Sequence, residues 1–282
     1  MVEPLVVGKG LVVAYRRRRG LFARVRVEPA PVLKGVDIVI GRGETVGIVG
    51  ESGSGKSTLG RTLLGLIPPD RGTVTFDGNV LAGRDEAQLR PLRRRMQMIF
   101  QDPMSSLNPR HTIGRILSEP ALLHGLAGHR ADALGLVREV LDRVGIPASA
   151  IDRYPHELSG GQRQRVGIAR AVILKPEFVL ADEIVSGLDV STQAQVLRLL
   201  QQLGREMGLA LAFISHDLSV IRSVCHRVYV MREGVIEEEG DCSALFAAPK
   251  AAYTRMLIDA IPLPVRDPMW LGRGGQVEEA LA

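Results

Sequence analysis

The feature that most constrains this chain is a glycine-rich stretch from Gly50 to Ser57, which matches the pattern GxxxxGK[ST]. It follows an apolar run at 45–49 that predicts a buried strand, and leucines with helical spacing come after it. Gly53 and Gly55 permit backbone conformations that side chains with a Cβ resist, so successive amides can converge on an anion at the positive end of a helix. The stretch therefore predicts a loop that binds the phosphates of a nucleotide.

Within this phosphate-binding loop, we expect Lys56 to reach the β and γ phosphates and the hydroxyl of Ser57 to ligate Mg²⁺. A loop that matches the pattern by chance is the alternative, and the strand-loop-helix context argues against it. The predicted ATP-binding residues of the loop are Gly50, Glu51, Ser52, Gly53, Ser54, Gly55, Lys56, Ser57 and Thr58.

Two adjacent carboxylates, Asp182 and Glu183, end an apolar run that predicts another strand. Successive residues of a strand point to opposite sides, so Asp182 could complete the shell of the magnesium while Glu183 orients or deprotonates a water molecule. A solvated acidic strand end is the alternative. His216 follows the apolar run 209–215, at the end of a strand where open α/β sheets bind their ligands. A lone histidine is more often structural, but this position favours a contact with the γ-phosphate.

A second glycine-rich turn, LSGGQ at 158–162, lies far downstream and opens a predicted helix that runs toward Leu174. Amides exposed at Ser159, Gly160 and Gly161 would form a second anion site. One ATP molecule cannot easily use both turns of a single chain. The sequence therefore predicts that nucleotide is held between two chains.

These motifs together resemble the ATP-binding cassette (ABC) family along nearly the whole chain. The turn at 158–162 stands where that family has its signature, residues 186–189 stand at its D-loop, and Gln101 matches its Q-loop. In the family, two cassettes meet head to tail, and the signature of each covers the ATP held by the other. The signature residues by this resemblance are Leu158, Ser159, Gly160, Gly161 and Gln162, and the D-loop residues are Ser186 and Asp189.

The resemblance also implies roles for single residues. Glu183 would be the catalytic carboxylate, His216 a switch histidine, and Gln101 a metal ligand that couples the site to a membrane partner. Tyr15 would stack on adenine, although an aromatic at a strand end often belongs to a core. The implied cofactors are ATP and Mg²⁺, the latter held by Ser57, Gln101 and Asp182.

Stretches outside these motifs resemble one branch of the family, the ATPases of bacterial peptide, nickel and opine importers. The similar stretches are 100–110, 153–158, an insertion at 16–31 that is typical of the second ATPase of those systems, and 249–262. Ile184 and Gly187 depart from the proline and alanine that are usual in the family, and we expect them to leave that turn freer.

That branch implies several partners: an identical or paralogous ATPase, two membrane-spanning permeases and an extracytoplasmic solute-binding protein. The chain would then lie peripherally on the cytoplasmic face of the inner membrane, and no nucleic acid is expected. Two alternatives stay open, a soluble cassette ATPase that works on ribosomes or DNA and an exporter ATPase.

Composition agrees with a large α/β unit. The chain has 282 residues, of which 45% are hydrophobic, and its strands alternate with helices around the phosphate-binding loop. We expect a P-loop α/β fold with a mostly parallel core sheet, helices on both faces, an antiparallel β subdomain and an inserted helical lobe at about 113–172. The predicted division is an ATP-binding domain at 1–246, followed by an importer-type extension and flexible tail at 247–282.

Charge and hydropathy limit the location of the chain. No run reaches the roughly 18 apolar residues of a membrane span, and the first four residues lack a secretory pattern, so we expect a cytosolic chain unless a partner holds it at a membrane. The net charge is +5. Arginine runs at 16–19 and 93–95 are best interpreted as solvated faces, with a membrane surface second and nucleic acid third. Two cysteines, Cys225 and Cys242, predict buried or inert thiols.

Overall fold

The computed structural model describes residues 3–15 and 30–261. Most of the predicted insertion, including the arginine run at 16–19, lies outside the described residues, as does the predicted tail at 266–282. Strands are β1 (Pro4–Val13), β2 (Leu33–Gly41), β3 (Thr45–Val49), β4 (Arg71–Phe76), β5 (Asn79–Val80), β6 (Met96–Ile99), β7 (Phe178–Asp182), β8 (Ala210–Ile214), β9 (Arg227–Arg232) and β10 (Val235–Asp241). Helices are α1 (Lys56–Leu63), α2 (Glu86–Arg95), α3 (Pro103–Ser106), α4 (Ile113–Leu123), α5 (Arg130–Arg143), α6 (Gly160–Val172), α7 (Val190–Met207), α8 (Leu218–Val224), α9 (Cys242–Ala247) and α10 (Ala252–Asp259).

Two sheets build the molecule. The first has the order β10-β9-β3-β8-β7-β6 and is parallel from β9 to β6, with β10 antiparallel at its edge. The second is antiparallel, in the order β2-β1-β4-β5. Strands β3, β7 and β8 are buried along their whole length, as expected for parallel strands covered on both faces. The predicted mostly parallel sheet and the antiparallel β subdomain are therefore both present.

The two faces of the parallel sheet have different covers. Side chains such as Ile48, Leu180 and Ala212 pack into one cluster with α1 and the antiparallel sheet. Their neighbours in the strands, such as Val179 and Phe213, pack into a second cluster with helices that include α5, α6 and α7. Because side chains of a strand alternate between faces, each strand contributes to both cores. The prediction of helices on both faces is therefore confirmed, and the antiparallel sheet shares the cover of one face with α1.

The stretch 113–172 contains helices only: α4, α5, α6 and two short 3₁₀ helices at Ala148–Asp152 and Pro155–Glu157. Their apolar faces, including Leu117, Val137 and Val166, join the second cluster. This packing fixes the start of α6, where the signature residues lie, against the body of the molecule.

A network of four charged residues ties the two sheets together. Asp77 follows β4, and its carboxylate pairs with Arg42 and Arg95. Both arginines also pair with Glu177, just before β7, with 2.9 Å between Arg42 Nη1 and Glu177 Oε2. The guanidinium of Arg95 lies 4.9 Å from the centre of the Phe76 ring. The interpretation of the run 93–95 as a solvated face was therefore wrong for Arg95, because two acids distant in sequence meet there.

No helix within residues 3–15 and 30–261 combines the length and the apolar character needed to span a bilayer. Cys225 and Cys242 are buried free thiols, as predicted, and burial raises the pKa of both.

Candidate functional site

The phosphate-binding loop joins β3 to α1, and two of its glycines have no substitute. A Cβ on Gly50 would lie 2.1 Å from the carbonyl oxygen of Met231, at the end of β9. Gly55 caps the start of α1 with φ +104°, a conformation that side chains with a Cβ rarely adopt. Because Gly55 has no side chain to cap the helix, the first amides of α1 point outward at the positive end of the helix dipole.

Contacts from distant parts of the chain hold this loop in place. The amide of Gly234, in the turn between β9 and β10, donates to the carbonyl of Ser54 at 3.0 Å. The amide of Glu51 donates to the hydroxyl of Tyr253 on α10 at 3.2 Å. Both partners were missed by the sequence interpretation, because no local pattern connects residues 180 to 200 positions apart.

Lys56 is only 5% exposed and lies inside the loop. Its Nζ donates to the carbonyl oxygens of Gly50 and Glu51, each at 2.7 Å. Burial lowers the pKa of Lys56, while the carboxylates of Glu183, Asp182 and Glu51 act in the opposite direction. The ammonium therefore stands at the first turn of α1, where an incoming phosphate would compete with these two carbonyls for its N–H donors.

Ser57 and Asp182, the two predicted metal ligands of the strand and loop, are in direct contact. The Ser57 hydroxyl donates to Asp182 Oδ1 at 3.0 Å. Asp182 is 5% exposed, and burial raises its pKa, against the hydrogen bond from Ser57 and the charge of Arg61. A hydroxyl and a carboxylate side by side are hard oxygen donors that suit Mg²⁺, which takes its other ligands from phosphates and water. These residues fit the predicted metal.

The three predicted catalytic residues meet at the carboxylate of Glu183. Its carboxylate accepts a hydrogen bond from Gln101 Nε2 at 3.0 Å, and its other oxygen lies 3.5 Å from Nδ1 of His216. Its backbone has φ +49°, and its amide donates to the carbonyl of Ile214 at 2.9 Å. Left-handed backbone at a residue other than glycine is costly and concentrates at functional sites. Gln101 also reaches Ser186 Oγ, at 3.3 Å.

The turn after Glu183 is anchored in a way that the sequence did not reveal. The side chain of Ile184 is 2% exposed and packs in the core. Gly187 has φ +78°, and a Cβ placed on it would meet no atom within 4 Å. Burial of Ile184 therefore restrains the start of the turn by packing, where we expected greater freedom, while Gly187 retains open space.

The signature turn starts α6 and satisfies its own backbone. Ser159 Oγ accepts from the amide of Gln162 at 3.3 Å, and Gln162 Oε1 accepts from the amide of Ser159 at 3.0 Å. This reciprocal pair is a capping box. Leu158 is buried beneath it. A Cβ on Gly161 would lie 2.7 Å from Thr192 Cγ2, whereas a Cβ on Gly160 would meet only Leu188, at 4.0 Å.

Signature and D-loop line one cavity of about 500 Å³. Asp189 lies in its wall and caps α7, accepting from the amide and the hydroxyl of Thr192 at 2.9 and 2.7 Å. These bonds from Thr192 lower the pKa of Asp189. Within the described chain, no residue of the phosphate-binding loop lines this cavity. The signature and the phosphate-binding loop are thus separate surfaces of one chain.

Tyr15 lies beside the phosphate-binding loop. Its hydroxyl is 3.1 Å from Thr58 Oγ1, and the side chain is exposed. The predicted adenine contact is therefore adjacent to the start of α1, at the last described residue before the predicted insertion.

A larger cleft of about 800 Å³ lies between α4 and the segment that follows Gln101. Leu122 and Leu123 stand exposed on one wall, and Ser106 lies on the other. The guanidinium of Arg170 donates to the carbonyl of Ser106 from inside the cleft, and burial lowers its pKa. The same short segment thus touches Glu183 at one end and lines an apolar cleft at the other.

Two curated relatives are similar over most of the chain. A Brucella ovis ATP-binding protein that is provisionally named for peptide import is 48% identical over 94% of this chain and 80% of its own length. The glutathione import ATP-binding protein GsiA of Salmonella paratyphi A is 47% identical over 94% of this chain, which spans 42% of that longer protein.

A solved structure has the same fold. The ATP-binding cassette MJ0796, a dimer in a post-hydrolysis state with bound ADP and Pi, superposes with a TM-score of 0.74 at 30% identity and covers 84% of this chain and 99% of its own. The family model described as ABC transporter matches residues 33–186, more than half of the sequence. The chain belongs to the ABC transporter family and is one of its ATP-hydrolysing cassettes.

Proposed function

We propose that this chain is the ATPase subunit of a bacterial importer for peptides, or for nickel- or opine-like solutes. The observation that carries the proposal is the placement of Glu183 between Gln101 and His216, next to the Ser57–Asp182 pair. The cargo follows from the names of relatives, which mention peptide and glutathione import. Glutathione is itself a small peptide.

Each residue of the site has a role in hydrolysis. Lys56 holds the β and γ phosphates, and Tyr15 stacks on adenine. Ser57 and Asp182, with Gln101, would hold Mg²⁺, which would offset the charge that builds on the phosphates. Glu183 orients a water molecule for in-line attack on the γ-phosphorus and accepts its proton. His216, whose Nδ1 lies 3.5 Å from Glu183, would donate a hydrogen bond to the γ-phosphate.

The second half of the site comes from another chain, either an identical or a paralogous ATPase. The amides at the start of α6 form an anion site that no phosphate-binding residue of the same chain lines. The partner's phosphate-binding loop would bring ATP to this cavity. Loss of the γ-phosphate then removes contacts shared by both chains, so the pair loosens.

The 800 Å³ cleft is the docking site for a cytoplasmic segment of a permease. Its exposed leucines offer apolar contact, and the segment from Gln101 to Ser106 connects the cleft to Glu183. Two permeases and an extracytoplasmic solute-binding protein complete the assembly, with this chain on the cytoplasmic face of the membrane. Residues 1–246 form the ATP-binding domain, and the rest is an importer-type extension.

Copurification tests the assembly. Leu123 is 59% exposed, so Leu123→Asp is expected to fold normally and to lose the hydrophobic permeases in a detergent pull-down. Leu66, 50% exposed and outside the cleft, provides the control Leu66→Asp, which should retain them. Equal recovery of permeases with both variants, or association with ribosomes that RNase abolishes, would contradict the importer.

Uptake tests the cargo. Cells that carry Glu183→Gln in place of the wild-type chain should lose uptake of labelled peptides, with Glu86→Gln as a control on an exposed acid of α2, outside the cleft. Loss of nickel uptake with peptide uptake intact would replace peptides by the metal as cargo.

A further inference from the structure

We propose that Tyr253, on α10 near the end of the described chain, is a positioning residue for ATP binding. It acts on the phosphate-binding loop through a single peptide group that also holds Lys56. The proposal depends on nucleotide binding by that loop and is independent of the cargo.

The peptide group between Gly50 and Glu51 is bound on both sides. Its N–H donates to the hydroxyl of Tyr253 at 3.2 Å. Its carbonyl oxygen, on Gly50, accepts from Nζ of Lys56 at 2.7 Å. The N–H and C=O of one peptide group point in opposite directions. The hydrogen bond to Tyr253 therefore also fixes the direction of the carbonyl. Tyr253 thereby sets the orientation of an acceptor that positions the lysine ammonium.

Tyr253 is itself held firmly enough to act in this way. The side chain is 6% exposed, and the guanidinium of Arg232 lies 5.0 Å from the centre of its ring. The start of α10 is fixed by Glu238 on β10, whose carboxylate accepts from the amides of Lys250 and Ala251 at 2.9 and 3.0 Å. Ring and hydroxyl are thus tied to the edge of the parallel sheet.

The physical consequence is preorganisation of the loop. Without the hydroxyl, the Glu51 amide has lost its protein acceptor and the peptide group can rotate, which removes one of the two close carbonyl partners of Lys56. The loop would then have to be ordered again when phosphate binds, at the expense of affinity. The loss should appear in nucleotide binding more than in the chemical step.

The chain contains a matched control, Tyr229. It is also buried, and its hydroxyl also accepts from a backbone amide, that of Val39 at 3.1 Å, between β9 and β2. Tyr229→Phe and Tyr253→Phe both remove an acceptor of a backbone amide while retaining the ring, and Tyr229→Phe also removes the bond that its hydroxyl donates to the carbonyl of Val39 at 2.9 Å. The residues differ in the segment that their hydroxyls hold.

Calorimetric titration of the full-length chain with MgATP and MgADP tests the proposal. Tyr253→Phe should weaken the binding of both nucleotides about threefold to tenfold, the size expected for one lost hydrogen bond, and raise KM with a smaller change in kcat. Tyr229→Phe should leave binding unchanged. Hydrogen exchange should be faster at the Glu51 amide in Tyr253→Phe than in the wild type.

A double-mutant cycle decides whether the effect passes through the lysine. In a Lys56→Ala background, the additional loss of MgADP affinity from Tyr253→Phe should disappear, because the carbonyl no longer has an ammonium to position. Unchanged affinity in the single variant, an equal loss with Tyr229→Phe, or the same additional loss without Lys56 would each overturn the proposal.

Discussion

The phosphate-binding loop and the signature turn are both glycine-rich starts of helices, yet the chain treats them differently. The phosphate-binding loop packs closely against the end of β9 and forms hydrogen bonds with the turn at Gly234 and with α10. Lys56 is buried within the loop. The signature turn bonds mainly to itself, through Ser159 and Gln162, and faces an open cavity. The phosphate-binding loop is therefore fixed by contacts within one chain, whereas the signature turn lines a cavity to which that loop does not contribute.

The glycines of the two turns show the same contrast. A Cβ on Gly50 would strike a backbone oxygen at 2.1 Å, whereas a Cβ on Gly160 has its first neighbour at 4.0 Å. Gly50 is thus required by the fold of this chain. Gly160 has room for a Cβ, so packing within this chain does not require a glycine there.

The largest effect should come from Glu183, the proposed catalytic carboxylate. Glu183→Gln should retain nucleotide binding, because the loop keeps all its contacts, and should lower kcat by about 10²- to 10⁴-fold as proton acceptance is lost. ATP-bound dimers should accumulate and be visible in sedimentation. Normal turnover would remove the Glu183 carboxylate from the mechanism.

Lys56→Ala should weaken MgATP binding on the order of a hundredfold, since it removes charge-assisted bonds to phosphate. Equilibrium titration measures the loss. Lys9→Ala, which removes an exposed lysine of β1 outside the loop, is the control. A Lys56→Ala chain that binds as tightly as the wild type would mean that the loop does not hold the phosphates.

The two glycines can be compared directly. Gly50→Ala should weaken ATP binding about tenfold, because overpacking against Met231 displaces the loop. Gly160→Ala should leave ATP binding to the loop of its own chain unchanged. Both are measured on the same titration as Lys56→Ala. Similar losses for the two variants would contradict the separation of the two turns.

The smallest effect should come from the network of four charged residues that ties the two sheets together. Arg95, and with it Arg42, holds the pKa of Asp77 and Glu177 below the ordinary range. Such carboxylates stabilise the fold fully above their unfolded pKa, about 4, and the contribution is lost as pH falls through the lower folded pKa. Glu177→Gln should therefore lower the free energy of unfolding at pH 7 by about 1 kcal/mol or less and flatten its fall in acid.

Chemical denaturation between about pH 7 and pH 2 measures this fall. Glu119→Gln, which removes an exposed acid paired with Arg115, is the matched control and should change the profile less. If the free energy of unfolding fell with pH in the same way for Glu177→Gln and the wild type, the charge network would not contribute to stability.

The comparison also shows what a sequence can reveal. Local spacing was enough to predict the strand-loop-helix around Gly50–Ser57, the strand that ends at Asp182 and the helix that begins after Ser159, because each motif dictates its own backbone. The sequence did not predict that the antiparallel sheet packs on one face of the parallel sheet, that Ile184 is buried, or that Tyr253 contacts Glu51. Those features depend on which distant segments meet, and no periodicity records that.

The roles assigned to single residues stay predictions, although three of those residues lie in contact. Glu183 contacts Gln101 and His216, and Gln101 touches Glu183 and Ser186 with its amide nitrogen. Its role as a metal ligand stays a prediction, as do adenine stacking by Tyr15 and the contribution of Asp189 across a dimer.

The central claim is that ATP is clamped between the phosphate-binding loop of one chain and the signature turn of another. The most direct test is ATP hydrolysis by the assembled membrane complex that carries Gly160→Leu, at a position where a Cβ would have its first neighbour at 4.0 Å. We predict that the variant assembles and binds ATP at its own loop, and that turnover falls about tenfold or more, as expected when donors to the phosphate are blocked. Turnover at the wild-type rate would contradict the claim.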